Sequence, residues 1–262
     1  MNELLSIAIS ASIKAGLEIL KIYNTDFQVE YKQDESPLTI ADKNANDIIV
    51  SFLEPTKIPV LSEEGRSIPY SERKDWDQLW IVDPLDGTKE FIKKNDEFTV
   101  NIALVRNQKP ILGVVYAPVL DELYYGDTEN GAHKLENASN MYNPSKILSS
   151  SRKLPLDIHN DYFGVVASRS HLSKETSDFI EGLKKNHNNL KIVSKGSSLK
   201  LCMIAEGSAD IYPRFAPTME WDTAAGHAVI LCAGKRIVQA NSPSTEVLYN
   251  KENLLNPWFI AK

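Results

Sequence analysis

Apolar residues near the N-terminus recur with the period of an α-helix. Five of them fall on one face of the segment from about residue 3 to 23, namely Leu4, Ala8, Ala11, Ala15 and Ile19. This spacing of three or four residues predicts an amphipathic helix. A second helix is predicted from about Thr39 to Leu53, because Thr39 and Asp42 have the spacing of a capping box at its start.

Runs of strand-forming residues follow the second helix. They predict five strands, at Val60–Ser62, Leu79–Asp83, Thr99–Arg106, Ile111–Ala117 and Glu122–Gly126. The last three follow one another after short turns, so we expect this part of the sheet to be antiparallel.

The pattern changes after about residue 140, where strands begin to alternate with helices. The predicted strands are Phe163–Ser168, Leu190–Ser194 and Asp210–Arg214, and the predicted helices are His171–Asn186, Ser197–Gly207 and Thr223–Gly234. Such alternation is typical of α/β structure. We therefore expect an α+β lobe over residues 1–138, an α/β lobe over 139–262, and a cleft between them.

Charge and composition narrow the classes of partner. The 262 residues are 42% apolar and 24% charged, with a net charge of -6, which is ordinary for a globular protein. A nucleic-acid polymer is an unfavourable partner, because binding to a phosphate backbone needs a basic face. A small anion stays possible where cations are concentrated locally or a metal is bound.

Cysteine use and the N-terminus predict a cytoplasmic protein. Cys202 and Cys232 lie in apolar surroundings, which favours buried reduced thiols over a disulfide framework. Glu3 stands where a signal peptide would carry basic residues, and no apolar run reaches transmembrane length. A loose association with the inner membrane surface and the choice between monomer and homodimer stay open.

Carboxylates occur at four places where an apolar strand ends or a helix begins. They are Asp42 in "TIAD", Glu63 and Glu64 in "VLSEEG", Asp83 and Asp86 in "IVDPLDGT", and Asp222 in "MEWDTAAG". Taken singly, Asp42 can be the third residue of a capped helix and Asp222 a helix N-cap. The two glutamates can be solvated turn charges, and Asp83–Gly87 an ordinary turn. Taken together, acids that converge repel one another unless a cation lies between them.

The Asp-Pro-Leu-Asp turn has the chemistry of a magnesium site. Mg²⁺ prefers carboxylate, carbonyl and water oxygens, and the turn offers the side chains of Asp83 and Asp86 with the carbonyl of Leu85. Gly87 and Thr88 then present backbone N–H groups at a predicted helix start, which suits a phosphate. A metal site beside a phosphate seat indicates phosphoryl chemistry.

Other acidic and phosphate-binding motifs do not fit. A haloacid-dehalogenase-type phosphatase has Asp-x-Asp where this chain has Asp-x-x-Asp. An EF-hand counted from Asp83 would need glutamate at its twelfth position, which is Lys94. The chain also has no Walker A sequence.

The motifs "DPLDGT" and "WDTAAG", in this order, resemble those of the inositol monophosphatase superfamily, which are Mg²⁺-dependent, lithium-sensitive phosphomonoesterases. The segments "LSEE", "DGTKEFIKKNDEFTVNIALV", "PILGVVYAPV", "GSSLK" and "YPRFAPTMEWDTAAGHAV" are similar to its CysQ branch of 3'(2'),5'-bisphosphate nucleotidases. The resemblance covers nearly the whole chain and is weakest around Glu136–Tyr162. It implies a layered αβαβα sandwich, an α/β fold.

The resemblance also implies roles for individual residues. The positions that match Mg²⁺ ligands, for two or three ions in each active site, are Glu63, Asp83, Leu85 through its carbonyl, Asp86 and Asp222. Glu64 matches an acid that helps to hold a metal-bound water. Asp42 and Thr88 match the pair that orients and deprotonates the attacking water, and Gly87 and Thr88 match the phosphate seat.

The substrate implied by the resemblance is a small nucleotide, adenosine 3',5'-bisphosphate, or its sulfated form. Its contacts match His171, Ser197, Lys200 and Arg214, in addition to Glu63, Asp86, Gly87, Thr88 and Asp222. Each of the first three also has an ordinary interpretation, as an exposed residue at a helix start, a helix cap and a solvated lysine. Lys89 and Glu90 are typical of the nucleotidase branch, and the sequence gives no physical account of how they select substrate.

Two alternatives to a nucleotidase remain at this point. One is an inositol monophosphatase or sugar bisphosphatase of the same superfamily, in which Lys200 and Arg214 would have no nucleotide phosphate to contact. The other is a non-catalytic sensor that binds the nucleotide. The intact set of acids argues against the sensor.

Overall fold

The structure is a computed structural model that describes residues 2–25, 28–31, 37–141, 144–167 and 172–262. Its α-helices are α1 (Glu3–Tyr23), α2 (Ile40–Leu53), α3 (Tyr70–Arg73), α4 (Thr88–Ile92), α5 (Pro144–Ser150), α6 (Lys174–Lys184), α7 (Leu199–Glu206) and α8 (Glu220–Cys232). Its first nine strands are β1 (Val29–Tyr31), β2 (Pro37–Thr39), β3 (Val60–Ser62), β4 (Gln78–Asp86), β5 (Thr99–Arg106), β6 (Lys109–Ala117), β7 (Glu122–Asp127), β8 (Gly131–Glu136) and β9 (Arg152–Lys153). The others are β10 (Phe163–Val166), β11 (Leu190–Val193), β12 (Tyr212–Arg214), β13 (Ile237–Gln239), β14 (Ser242–Glu246) and β15 (Phe259–Ala261).

A seven-stranded sheet in the order β3-β4-β5-β6-β7-β8-β9 forms the centre of the fold. β3 and β4 are parallel, and the remaining neighbours are antiparallel. Successive side chains of a strand point to opposite faces of the sheet. In β5, Val100 and Ile102 therefore join the core under α1 and α2, whereas Ala103 and Val105 join the core under α7 and α8.

Small residues let α8 approach the sheet closely. A Cβ at Gly113 of β6 would overlap the carbonyl oxygen of Ala225 and lie 2.7 Å from the Cβ of Ala228. The "AAGHA" run of α8 therefore packs directly on the strand backbone, which fixes where the N-terminus of α8 lies relative to β4 and β5.

The C-terminal half contains two further sheets. β10 and β11 pair in parallel, and β12-β15-β13-β14 form a four-stranded antiparallel sheet. A bridge between Val165 and Ile211 connects the two, and α7 packs against α8. Helices on both faces of a mixed sheet confirm the predicted α/β fold class, whereas the division into lobes at residue 138 stays a prediction.

Several predicted boundaries were wrong. The strand predicted to end at Asp83 continues to Asp86, because pairing with β5 resumes after a bulge. The last predicted helix begins at Glu220 rather than Thr223, so Asp222 lies inside it and is not its cap. The helix predicted from Ser197 begins at Leu199.

The helix predicted from His171 begins at Lys174, where the side chain of Ser173 accepts a hydrogen bond from the N–H of Thr176 and so caps it. The preceding strand ends at Val166, and the predicted end at Ser168 lies outside the described residues. Several short strands were missed, namely β1, β2, β8, β9, β13, β14 and β15. None of the helices in the described ranges combines the length and apolar character needed to cross a membrane.

Candidate active site

Two adjoining cavities form one cleft at the edge of the central sheet. The acidic cavity, about 310 Å³, is lined by Glu63, Asp83, Asp86 and Asp222. The basic cavity, about 410 Å³, is lined by Lys200 and Arg214 among others. Asp86 and Asp222 line both cavities, so a single ligand can contact acids at one end and cations at the other.

The topology explains why distant acids meet in the acidic cavity. β3 and β4 are parallel, with Ser62 paired to Val82, and parallel strands end at the same edge of a sheet. Glu63 follows β3 and Asp83 lies beside it on β4. The close packing of α8 brings its first turn, with Asp222, to the same edge.

A bulge in β4 presents two aspartates from one turn. Asp83 pairs with Asn101 and Asp86 pairs with Thr99, so an extra residue is accommodated on the β4 side. The N–H of Leu85 donates to Asp83 Oδ1 at 3.1 Å, which closes the turn locally. Gly87 then adopts a φ of 94°, a left-handed value that glycine adopts without strain, and α4 begins at the next residue.

Burial and neighbouring acids raise the pKa values of Asp83 and Asp222. Burial raises the pKa of Asp83 well above its usual value, and the charges of Glu63, Asp86 and Asp222 raise it further. Burial and the nearby Asp86 raise the pKa of Asp222 to about 7. A side-chain contact with Glu63 also raises the pKa of Asp83. The acidic cavity therefore favours positive charge.

The donor set of the acidic cavity fits a hard cation. Within the described ranges, no three acidic, histidine or cysteine side chains already adopt metal-holding geometry. The acids nevertheless share one cavity, and carboxylate oxygens are the ligands that Mg²⁺ prefers. A divalent cation would remove the mutual repulsion of these acids.

Asp42 has the predicted capping role and a second contact. Its Oδ2 accepts a hydrogen bond from the N–H of Thr39 at 2.7 Å, as a capping box requires, and a further one from the Thr39 hydroxyl at 2.6 Å. Its Oδ1 accepts from the Thr88 hydroxyl at 3.4 Å, so the structure brings together the predicted catalytic pair. Burial raises the pKa of Asp42, and the charge of Glu64 raises it further, which places Glu64 nearby.

Lys200 and Arg214 place two cations in the basic cavity. Burial lowers the pKa of Lys200, and Arg214 lowers it further, whereas the charge of Asp86 acts in the opposite direction. Arg214 donates from Nη2 to the carbonyl oxygen of Pro217 at 3.2 Å. Its buried Nε finds no acceptor among the described residues. A buried donor without an acceptor is unfavourable, so this cavity suits an anionic ligand group.

Ser197 lies in the cleft, but it neither starts nor caps a helix. Its φ is 51°, in the left-handed region, which is unfavourable for a serine. Its hydroxyl contacts Asp86 Oδ2 at 2.5 Å, the Asp86 carbonyl oxygen at 2.9 Å and the Thr99 hydroxyl at 2.7 Å. These contacts hold the serine against an acid of the cleft. The predicted substrate residue His171 lies outside the described residues.

Sequence reasoning missed Thr99, Asn101 and Ser198, which lie behind the acids. Thr99 and Asn101 are buried on β5 and contact Asp86, and Ser198 contacts Asn101 and Asp222. One feature of the sequence could have identified Thr99 and Asn101. Two polar residues at alternate positions of an otherwise apolar strand indicate a polar surface beneath that strand.

Comparisons with known proteins agree with this geometry. The model of the inositol monophosphatase family matches residues 1–258. The 3'(2'),5'-bisphosphate nucleotidase CysQ of Salmonella typhimurium is 43% identical over 249 residues, which cover 94% of each chain. CysQ of Buchnera aphidicola is 45% identical, over 85% of this chain and 79% of that protein. The crystal structure of CysQ from Bacteroides thetaiotaomicron, described as a bacterial member of the inositol monophosphatase family, is 52% identical. It superposes with a TM-score of 0.91 and covers 98% of this chain and 95% of that chain.

Proposed function

The chain belongs to the inositol monophosphatase family, and on that premise we propose that it is a 3'(2'),5'-bisphosphate nucleotidase. It hydrolyses the 3'-phosphate of adenosine 3',5'-bisphosphate and releases AMP and phosphate. The relatives that carry this activity in their names match nearly the whole chain. The cleft has acids at one end and the cations Lys200 and Arg214 at the other, which suits a substrate with two phosphates.

The observation that carries the proposal is the pair of cations, Lys200 and Arg214, that line the basic cavity but not the acidic one. Lys200 and Arg214 lie apart from Glu63 and Asp83, in a cavity that joins the acidic one through Asp86 and Asp222. A substrate with two phosphates can place one at the acids and the other at the cations. Arginine binds a phosphate with two parallel hydrogen bonds, and lysine acts as a point charge. An inositol monophosphate has no second phosphate for these residues.

Metal binding is assigned to one set of residues. Members of the family depend on a divalent metal, generally Mg²⁺, and we propose on the order of two or three ions in the acidic cavity. The side chains that would hold them are Glu63, Asp83, Asp86 and Asp222, together with the carbonyl of Leu85. When bound, Mg²⁺ supplies positive charge for the phosphate and the leaving oxygen, and it lowers the pKa of a water molecule.

Thr88 and Asp42 move the proton of the attacking water. The Thr88 hydroxyl takes the proton from the water and passes its own to Asp42 Oδ1, which lies 3.4 Å away. Burial raises the pKa of Asp42, and a base works best when its pKa approaches the working pH. The oxygen of the water then bonds to phosphorus as the bond to the 3'-oxygen of the ribose breaks. The leaving oxygen takes up a proton from solvent water, and Asp42 returns its proton to solvent before the next cycle. Glu64, whose charge acts on Asp42, would hold a water nearby.

The phosphate and nucleotide contacts follow from the lining of the cleft. The N–H groups of Gly87 and Thr88 face the transferred phosphate beside the acids. Ser197, Lys200 and Arg214 contact the nucleotide end, and His171 is proposed from the sequence alone. Lys89 and Glu90 line both cavities, which gives them access to the substrate at the junction of the two ends.

A phosphate-release panel tests the assignment. The panel contains adenosine 3',5'-bisphosphate, its sulfated form, inositol 1-phosphate and fructose 1,6-bisphosphate, with Mg²⁺ and with or without lithium. The bisphosphonucleoside should have the highest kcat/KM. A higher value for inositol 1-phosphate would reject the nucleotidase and favour an inositol monophosphatase.

Two substitutions locate the roles within the cleft. Arg214→Ala should raise the KM for the bisphosphonucleoside strongly and the KM for a small polyol phosphate little. Asp83→Asn should abolish turnover of both, because it removes a shared metal ligand. Tight nucleotide binding without any turnover in Mg²⁺ would instead support a sensor.

A cytoplasmic location is also proposed. Cys202 and Cys232 are not joined in a disulfide, and burial raises the pKa of both thiols. Buried protonated thiols are typical of proteins in a reducing compartment.

A further inference from the structure

A buried asparagine lies beneath the acids of the cleft, in an otherwise apolar strand. Asn101 of β5 is 1% exposed, and the neighbouring residue on the same face, Thr99, is fully buried. The next positions on that face are Ala103 and Val105, which pack in the core. Burying an amide is unfavourable unless it is hydrogen-bonded, so the contacts of Asn101 show why it is tolerated here.

The side-chain amide of Asn101 connects two acids of the cleft. One Nδ2 hydrogen donates to Asp86 Oδ2 at 3.3 Å, and the other donates to Ser198 Oγ at 2.9 Å. The Ser198 hydroxyl donates in turn to the backbone carbonyl oxygen of Asp222 at 2.8 Å. An unbroken chain of hydrogen bonds therefore runs from the carboxylate of Asp86 to the backbone of Asp222.

The orientation of this amide is determined by its partners. A carboxylate and a carbonyl oxygen only accept hydrogen bonds, so the NH₂ group must face Asp86. The Oδ1 of Asn101 faces the other way and accepts from the Thr99 hydroxyl at 2.9 Å. A carboxylate at position 101 would place two like charges in contact.

The donors around Asp86 converge on one of its two carboxylate oxygens. Ser197 and Asn101 donate to Oδ2 at 2.5 and 3.3 Å, and the Thr99 hydroxyl oxygen, whose hydrogen is donated to Asn101, lies 3.5 Å from the same atom. Within the part of the chain that the structure describes, these contacts leave Oδ1 for a ligand in the cleft. These hydrogen bonds hold the Asp86 carboxylate in one orientation.

We propose that Asn101 is a positioning residue, which fixes Asp86 relative to Asp222 so that both face the same cation. The proposal rests on the metal-dependent function proposed above. It assigns to Asn101 no contact with substrate or with the reacting atoms. Asn101 also connects the two ends of the cleft. Ser198, to which it donates, and Ser197 belong to the loop that precedes Lys200 of the basic cavity.

The test measures metal binding without substrate. Protein freed of metal with EDTA is titrated with Mn²⁺, and the free ion is followed by its electron paramagnetic resonance signal. Asn101→Leu removes both donors at nearly constant volume, and Asn101→Asp replaces a donor by a negative charge. Removal of a residue that orients a metal ligand weakens binding about 10–100-fold, so both variants should raise the Mn²⁺ dissociation constant by that factor.

A matched control is available elsewhere in the chain. Asn130 also donates from its amide to a carboxylate, that of Asp127, at 2.9 Å, far from the acids in sequence and outside both cavities. Asn130→Leu should leave the Mn²⁺ dissociation constant unchanged. Equal Mn²⁺ binding by the wild type and both Asn101 variants would overturn the proposal.

Kinetics distinguish positioning from a general loss of structure. In the Asn101→Leu variant, kcat should recover towards the wild-type value as Mg²⁺ is raised, while its circular dichroism spectrum should match that of the wild type already in EDTA. Because Mg²⁺ would also refold an unfolded fraction, the matching spectrum without metal is what excludes a general loss of structure. If Asn101→Leu fails to fold, Ser198→Ala carries the test, because it cuts the chain of hydrogen bonds and leaves the asparagine in place. The loss of one such hydrogen bond should weaken Mn²⁺ binding by at least about threefold. An unchanged Mn²⁺ dissociation constant in Ser198→Ala would overturn the proposal.

Failure of the proposed function would look different. A wild-type protein that binds Mn²⁺ but releases no phosphate from adenosine 3',5'-bisphosphate is not this nucleotidase. The Mn²⁺ constants of the variants would still decide whether Asn101 positions Asp86.

Discussion

Replacing Asp222 by asparagine should stabilise the metal-free protein while it abolishes turnover. Burial and the nearby Asp86 raise the pKa of Asp222 from 3.8 to about 7. Each tenfold change in the affinity of a group for its proton corresponds to about 1.4 kcal/mol. The ionised carboxylate therefore lowers the free energy of unfolding by about 4 kcal/mol at pH 8.

The direction of the change in the free energy of unfolding depends on whether the folded or the unfolded chain binds the proton of Asp222 more tightly. Here the folded chain holds it more tightly than the unfolded chain, because the folded pKa is raised. Above pH 7 the folded carboxylate is charged and the full destabilisation is present. As the pH falls from 7 towards 4 the folded chain takes up the proton, so the gain from Asp222→Asn falls to less than about 2 kcal/mol at pH 5.

Asparagine is the right replacement because it keeps the local hydrogen bond. Asp222 Oδ2 accepts from the N–H of Met219 at 2.8 Å, and an amide oxygen can do the same. Asp222→Ala would lose this helix-capping contact, at a cost of about 1 kcal/mol. A comparison of the two variants therefore separates the effect of removing the charge from the effect of losing the capping hydrogen bond.

The assay is urea unfolding in EDTA at pH 8 and pH 5, with the wild type and both variants measured side by side. Addition of Mg²⁺ should then stabilise the wild type more than the asparagine variant, because ligand binding to the folded state raises the free energy of unfolding. An asparagine variant that is no more stable than the wild type at pH 8 in EDTA would refute the argument from charge repulsion.

Two further predictions concern a buried histidine and a glycine of the cleft. Burial lowers the pKa of His227 to about 3, so the unfolded chain alone takes up a proton below about pH 6.5. Between pH 7 and pH 5 the wild type should lose about 2 kcal/mol of unfolding free energy that His227→Gln does not lose, and equal slopes in urea titrations would contradict this. Gly196→Ala should lower kcat/KM for the bisphosphonucleoside, since a Cβ there would lie 2.6 Å from the carbonyl oxygen of Glu97 and displace the loop that carries Ser197. Gly182→Ala in α6, where a Cβ meets nothing within 4 Å, is the control and should keep full activity.

The acids were found from the sequence because each belongs to a short local pattern. The capping box of Asp42 is visible as a spacing, and the pair Asp83 and Asp86 follows directly from a strand with a proline and a glycine in its turn. Local chemistry of this kind requires no knowledge of which strands are neighbours. The fold class was equally accessible, because helical and strand periods alternate along the chain.

Contacts that depend on register were not accessible. Asn101 meets Asp86 only because the bulge in β4 shifts the pairing by one residue, and the sequence carries no sign of that shift. The sequence predicts a helix start at Ser197, which is wrong. The left-handed φ of Ser197 depends on contacts with Asp86 and Thr99, which lie about a hundred residues earlier. The strands β13 and β14 are short and partly polar, and pairing with their neighbours determines them more than their own composition does.

The close packing of α8 on Gly113 has a consequence for the making of the protein. Glu63 and Asp222 are 159 positions apart, and Asp222 reaches the other acids only when α8 lies on the completed sheet. A chain still emerging from the ribosome therefore has the first three acids but not the fourth, and its cleft lacks the helix that closes it. Since a cation held by all four acids stabilises only a fold in which α8 is in place, we expect full metal affinity only after α8 has packed on the sheet.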